Sequence, residues 1–204
     1  MTDMRYIEMY NWRKYSDKTK SEIIKVRKQE NLPWHSPPHF DGCGLYHLSA
    51  SNYEHKNIIG KDIERLSNFS ESLLNILPAL GTLKAWCVLP NHYHLLLDVE
   101  DLKNTVKELG KLHGQTSFNW NKEDNSQGRK CWHRVADRKI RNADHYYASL
   151  NYIHNNPVKH ECVTNWDEWK YSSAKQFLDE VGRDKALKIW RQYPLFNYGK
   201  GWDD

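Results

Sequence analysis

Residues 89–100 read LPNHYHLLLDVE. The Pro-Asn pair favours a turn. The run after it reads as a strand and carries two histidines two positions apart. The segment before it, TLKAWCVLP (82–90), also reads as a strand, so together they predict an antiparallel hairpin. In a strand, residues i and i+2 face the same side. His92 and His94 therefore project together, with Asp98 on their face, while Tyr93, Leu95 and Leu97 face the other side. Most such pairs lie on a solvated strand face. A pair of metal ligands needs a further donor brought from elsewhere in the chain.

The surrounding pattern supplies a frame for that hairpin. LYHLSASN (45–52) alternates as a strand. KDIERLSNFSESLLNILPAL (61–80) spaces Ile63, Leu66, Phe69, Leu73, Leu74 and Ile76 or Leu77 as the apolar stripe of a helix. Residues 101–120 read as a second helix, and KCWHRVADRKI (130–140) as a fourth strand or extended segment. ADHYYASLNYIHNN (143–156) reads as a third helix, capped by Asn142 and ended by Pro157, which disfavours a helical residue before it. Strand, helix, hairpin, helix, strand is the order of a ferredoxin-like α+β fold: an antiparallel sheet with helices packed on it.

Outside this frame, residues 16–30 read as a charged helix capped by Ser16 or Asp17. LPWHSPPHFDGCG (32–44) is broken by three prolines and two glycines and reads as a loop; Pro37-Pro38 keeps His35 and His39 from forming a helical metal face. The division expected is an extension over 1–43, a catalytic domain over 44–163 and a helical tail over 164–204.

The third helix supplies the missing donor. At about 100° per residue, Ala143, Tyr146, Tyr147, Leu150 and Ile153 fall in one arc and form the core stripe. Tyr152 and Asn156 fall on the opposite side, one turn apart, with His145 on the same face. Packing of the stripe does not account for them. Two imidazoles and an amide oxygen make a three-ligand site with open positions, and mixed N/O ligation suits Mg²⁺ or Mn²⁺. Such an ion acts as a Lewis acid on a phosphodiester. A phenol one turn from it is placed to attack the phosphorus. A free phenol titrates near pH ~10; His145 is the one candidate proton acceptor on that face.

These residues carry a resemblance. AWCVLPNHYHLLLDV (85–99), followed by YIHNNPVKHECV (152–163), resembles the REP-associated tyrosine transposases, single-tyrosine relatives of the insertion-sequence transposases with a His-hydrophobic-His motif. The likeness spans Leu45 to Val163. It implies that His92, His94 and Asn156 hold the metal and that Tyr152 is the nucleophile. It further implies cutting and joining of single-stranded DNA at palindromic hairpins, through a 5′-phosphotyrosine link and a free 3′ hydroxyl. One departure is Tyr93 at the central position of the motif, on the face away from the ion.

The remaining features fit that reading without requiring it. Residues 129–141, RKCWHRVADRKIR, hold six Lys/Arg against one acid in a chain whose net charge is only +4. Arg129, Lys130, Arg134, Arg138 and Arg141 are candidate phosphate contacts, and Trp132 and His133 candidate stacking partners for an unpaired base. A solvated basic sheet edge is the plainer alternative. Cys43, Cys87, Cys131 and Cys162 form no CxxC pair and read as reduced core thiols. No apolar run approaches the ~20 residues of a membrane helix, and the first residues carry acids and no apolar signal stretch, so a cytoplasmic protein is expected. Monomer and homodimer both remain open. Two other functions share these features: a hairpin-binding module with no chemistry, and a phosphoesterase that uses water and does not need Tyr152.

Overall fold

The structure, a computed structural model, describes residues 15–29, 42–195 and 198. The loop histidines His35 and His39 and the first residues lie outside the described residues.

Four strands, β1 (Gly44–Ser51), β2 (Gly81–Val88), β3 (His92–Val99) and β4 (Ala136–Lys139), form one sheet in the order β2-β3-β1-β4. Every pair is antiparallel. With helices α2 (Ile63–Ile76) and α3 (Leu102–Glu123), this is the ferredoxin-like arrangement the element order predicts. The β2–β3 turn is pinned from outside. Gly60 donates its N–H to the Pro90 carbonyl at 2.7 Å, and a Cβ at Gly60 would stand 2.3 Å from Pro90 Cβ. Only glycine fits that approach.

Strand alternation sends two sets of side chains to opposite faces. Tyr46, Leu48, Ala50, Tyr93, Leu95, Leu97 and Val99 pack with Leu66, Phe69 and Leu73 of α2 and Leu102, Leu109 and Trp120 of α3. On the other face Ala85, Cys87, Leu89 and Leu96 pack with Leu150, Tyr152 and Ile153 of α4 (Ala143–Lys159). One face of the sheet thus carries two helices and the other carries α4. Asn142 caps α4 by accepting the His145 N–H at 2.8 Å.

Two expectations need correction. Helix α4 does not end before Pro157 but runs through it to Lys159. Pro157 is buried there, and the N–H groups of His160, Glu161 and Cys162 close the last turn on Asn156, Val158 and Pro157 carbonyls. Ile63, expected in the apolar stripe, is 63% exposed at the first position of α2. The segment 130–140 holds the expected fourth strand, limited to Ala136–Lys139. Only four residues pair with β1, and Trp132 makes an isolated bridge to Asn52.

The other elements cover edges and helix faces. Ser16 caps α1 (Asp17–Gln29), accepting the Thr19 N–H at 3.2 Å. Residues 171–173 line the outer edge of β2: Val88 donates to the Tyr171 carbonyl at 2.8 Å and Ser173 to the Trp86 carbonyl at 3.0 Å. This satisfies backbone groups that an open edge would expose. Beyond it, α5 (Ala174–Val181) and α6 (Arg183–Gln192) meet at Gly182, whose φ of 80° suits glycine. Among the described residues no helix is long and apolar enough to cross a membrane.

Tyr93 bonds His113 of α3, oxygen to Nε2, at 3.0 Å, and the His113 ring lies flat on Trp132 at 4.1 Å between centroids. Burial pushes the His113 imidazole down from 6.5 to about 4. The unfolded chain takes up this proton near 6.5 and the folded chain only near 4. Stability is therefore full above 6.5 and falls as the pH drops toward 4. Between pH ~7 and ~5 this group alone should cost about 2 kcal/mol. His113→Gln, which keeps an acceptor for Tyr93, should remove that part of the fall in urea denaturation. An unchanged pH dependence in the variant would contradict the assignment.

Candidate functional site

The register sets the site. His92 and His94 leave β3 toward α4, and both are buried, as are Tyr152 and Asn156 of α4. His92 Nε2 lies 2.9 Å from Asn156 Oδ1. The His94 ring centroid is 5.0 Å from that of His92 and 5.2 Å from that of Tyr152. The four residues selected from the sequence thus converge on one point. Tyr152, outside the helix's expected core stripe, is 2% exposed and part of the second core. A third face of α4 is also covered: Asn151 donates to the Tyr193 carbonyl at 2.8 Å.

The protons of His92 can be assigned. Asn91 Nδ2 donates to the His55 carbonyl at 3.0 Å, which only accepts, so Asn91 Oδ1 is the atom turned to His92. It stands 2.6 Å from Nδ1 and also only accepts. Nδ1 therefore carries the proton, and Nε2 of the neutral ring is a lone pair. That lone pair faces the lone pairs of Asn156 Oδ1 at 2.9 Å. Nothing enforces this amide orientation from behind, since Asn156 Nδ2 is buried with no hydrogen-bond partner among the described residues. Two such atoms repel unless positive charge lies between them or the amide turns over to donate its N–H to His92 Nε2. A second proton on His92 would bury a charged ring. Two ligands at about 2.1 Å from one ion and at right angles lie about 3 Å apart. The residues therefore fit a divalent cation. Among the described residues no three His, Cys, Asp or Glu side chains group to hold a metal ion; a site here would need the Asn156 amide as a further donor.

Several neighbours were not legible from the motif. Lys159 Nζ sits 5.4 Å from the Tyr152 ring centroid, and the His160 ring stands edge-on to His92 at 4.8 Å. Tyr198 lies 5.6 Å from Tyr152, ring to ring, and bonds the Ser149 hydroxyl. His145, the candidate proton acceptor, faces a different set: its Nδ1 accepts the Arg141 N–H at 3.3 Å and its ring meets Tyr198. Burial, then the charges of Arg138 and Arg141, push its pKa down.

The basic segment divides. Arg138 is opposite His47 in the β1–β4 register and so shares the site's sheet face. Arg134 and Arg141 are exposed, and Lys130 stands 4.3 Å from the Tyr53 ring centroid. Arg129 and Trp132 are placed otherwise than expected. Arg129 donates to Asp124 at 2.7 Å and Asn121 at 3.0 Å, in a network where Asp124 also binds Lys61 and Arg65. The Arg65 guanidinium beside Asp124 holds its carboxyl well below the usual range. Trp132 is buried against His113, Phe69 and Trp120 and donates its Nε1–H to Thr116 at 3.1 Å. With its ring faces so occupied, it offers no platform for a base. His133 accepts the Glu54 N–H at 3.2 Å and packs on Tyr53.

No family model matches the chain. A Haemophilus influenzae protein named as a REP-associated tyrosine transposase is 30% identical over 121 residues, covering 52% of this chain and 69% of that protein. A solved structure of a REP-associated tyrosine transposase bound to a REP hairpin aligns with a TM-score of 0.51 over 69% of this chain and 82% of that one. At 20% identity this likeness is one of fold.

If Trp132 is a core side chain, Trp132→Ala should cost about 3–5 kcal/mol of stability. Lys130→Ala should stay within about 0.5 kcal/mol. Urea denaturation of both variants checks this; a fully stable Trp132→Ala protein would return the ring to the surface.

Proposed function

The chain belongs to the REP-associated tyrosine transposases, and from that membership and the cluster around Tyr152 we propose a metal-dependent single-strand DNA endonuclease and strand transferase. Its substrate is a palindromic hairpin with a single-stranded flank, and its intermediate is a 5′-phosphotyrosine. The observation that carries this reading is the buried contact of His92 Nε2 with Asn156 Oδ1 at 2.9 Å, beside the Tyr152 ring.

His92, His94 and Asn156 would hold Mg²⁺ or Mn²⁺. When bound, the ion polarises the scissile phosphate and offsets charge that develops on it. The protein's own groups do the rest. Helix α4 keeps Tyr152 and Asn156 in register, so nucleophile and ligand approach one phosphate together. The Tyr152 oxygen forms a bond to phosphorus, and the bond from phosphorus to the 3′ oxygen breaks. The proton lost by the phenol ends on that 3′ oxygen, giving a 3′ hydroxyl. The new ester keeps the phosphoryl group activated, so a second hydroxyl can reverse the step and join strands. Lys159 Nζ lies over the Tyr152 ring, 5.4 Å from its centroid, and would place a cation near the nucleophile.

Arg134, Arg138 and Arg141, with Lys130 further out, would guide the strand by its phosphates. Arg138 shares the site's face and Arg141 stands at the N-terminus of α4. The chemistry and the binding are separable. Incubation with single-stranded hairpin DNA and Mn²⁺ should yield a covalent adduct with the wild type and none with Tyr152→Phe, while Tyr146→Phe and Tyr147→Phe should retain it. A cutting Tyr152→Phe protein would support a water-using phosphoesterase. Binding without cutting by the wild type would support a module without chemistry.

Arg134→Ala and Arg138→Ala should each lower the salt slope of hairpin binding by about 0.7, the value for one single-strand phosphate contact. Unchanged slopes in a salt series would make this rim a solvated edge.

A further inference from the structure

His47 stands on β1 one strand away from the His-Tyr-His motif. It is 3% exposed and lies on the sheet face of His94. Its Nε2 is 3.1 Å from His94 Nδ1, and its ring centroid is 5.8 Å from that of Tyr152. We propose that His47 is a positioning residue that accepts the Nδ1–H of His94 and so leaves His94 Nε2 as the nitrogen facing the ion. The inference rests on the metal reading above.

The argument is one of proton placement. Two ring nitrogens 3.1 Å apart share a single proton. If His47 supplied it, His94 would accept on Nδ1 and carry its own proton on Nε2, which closes that nitrogen to a cation. If His94 supplies it, Nε2 becomes a lone pair. The second arrangement is the one Asn91 imposes on His92 through its Oδ1 at 2.6 Å. Both imidazoles are then set alike, each by an acceptor on Nδ1: Asn91 from the hairpin turn, His47 from the neighbouring strand. A partner on the second ring nitrogen of a ligating histidine fixes both its tautomer and its ring plane. His47 in turn must keep its own proton on Nδ1.

Two measurements test this on the full chain. Long-range ¹H–¹⁵N correlation of labelled wild-type protein, with His94 assigned through its backbone correlations, should show Nδ1 protonated and Nε2 bare. A proton on Nε2 overturns the proposal without any variant having to fold. The second measurement is Mn²⁺ binding, read from the electron paramagnetic resonance of the free ion with no DNA present. His47→Leu should weaken Mn²⁺ about 10–100-fold. His47→Gln, whose carbonyl oxygen can accept the same proton, should stay near wild type, and hairpin affinity should not change in either. Wild-type Mn²⁺ affinity in His47→Leu, or an equal loss in His47→Gln, overturns it. His92→Ala reports on the metal reading alone. If it binds Mn²⁺ as well as wild type does, that reading fails and the role of His47 fails with it.

Discussion

The buried contact of His92 Nε2 with Asn156 Oδ1 at 2.9 Å is the interaction on which the candidate site depends. The two residues belong to elements distant in sequence, β3 and α4. Only the packing of α4 on the sheet brings them together. Leu150 and Ile153 against Ala85, Cys87 and Leu96 supply the apolar area for that packing. A polar cluster within such a core costs free energy unless each group finds a partner. Asn91 supplies one for His92. A cation shared with Asn156 would turn the remaining repulsion into coordination.

The sheet explains why the cluster can be so exact in position. β3 lies between β2 and β1, paired from His92 to Val99 with β1 and from Tyr93 to Val99 with β2. A one-residue slip of β3 would turn both histidines into the opposite core. The turn before it is fixed by Gly60 and by Asn91. Behind it, Tyr93 anchors the strand to α3 through His113. The tyrosine at the motif's central position thus serves the opposite core, where a phenol oxygen needs a partner and finds one.

Much of this was legible in the sequence because it depends on period alone. Alternation at His92 and His94, the turn at Pro90-Asn91, and the helical offset of Tyr152 and Asn156 from Leu150 and Ile153 are local and regular. What was not legible depends on the tertiary surroundings. Pro157 lies inside α4, which continues to Lys159 with the Asn156, Pro157 and Val158 carbonyls met by following N–H groups. Trp132 sits in a basic run but packs with Phe69, Trp120 and His113 in the core under α2 and α3. His47 has no spacing to mark it; only the pairing of β1 with β3 sets it against His94. Tyr152 falls outside the apolar stripe, yet chain from beyond α6 reaches back to it as Tyr198.

The most direct measurement is the anomalous difference map of a crystal grown with Mn²⁺. The account predicts one peak within bonding distance of His92 Nε2, His94 Nε2 and Asn156 Oδ1, with the Asn91 amide still turned to His92 Nδ1. A cluster without a peak, in which the Asn156 amide has turned over to donate to His92, would contradict it.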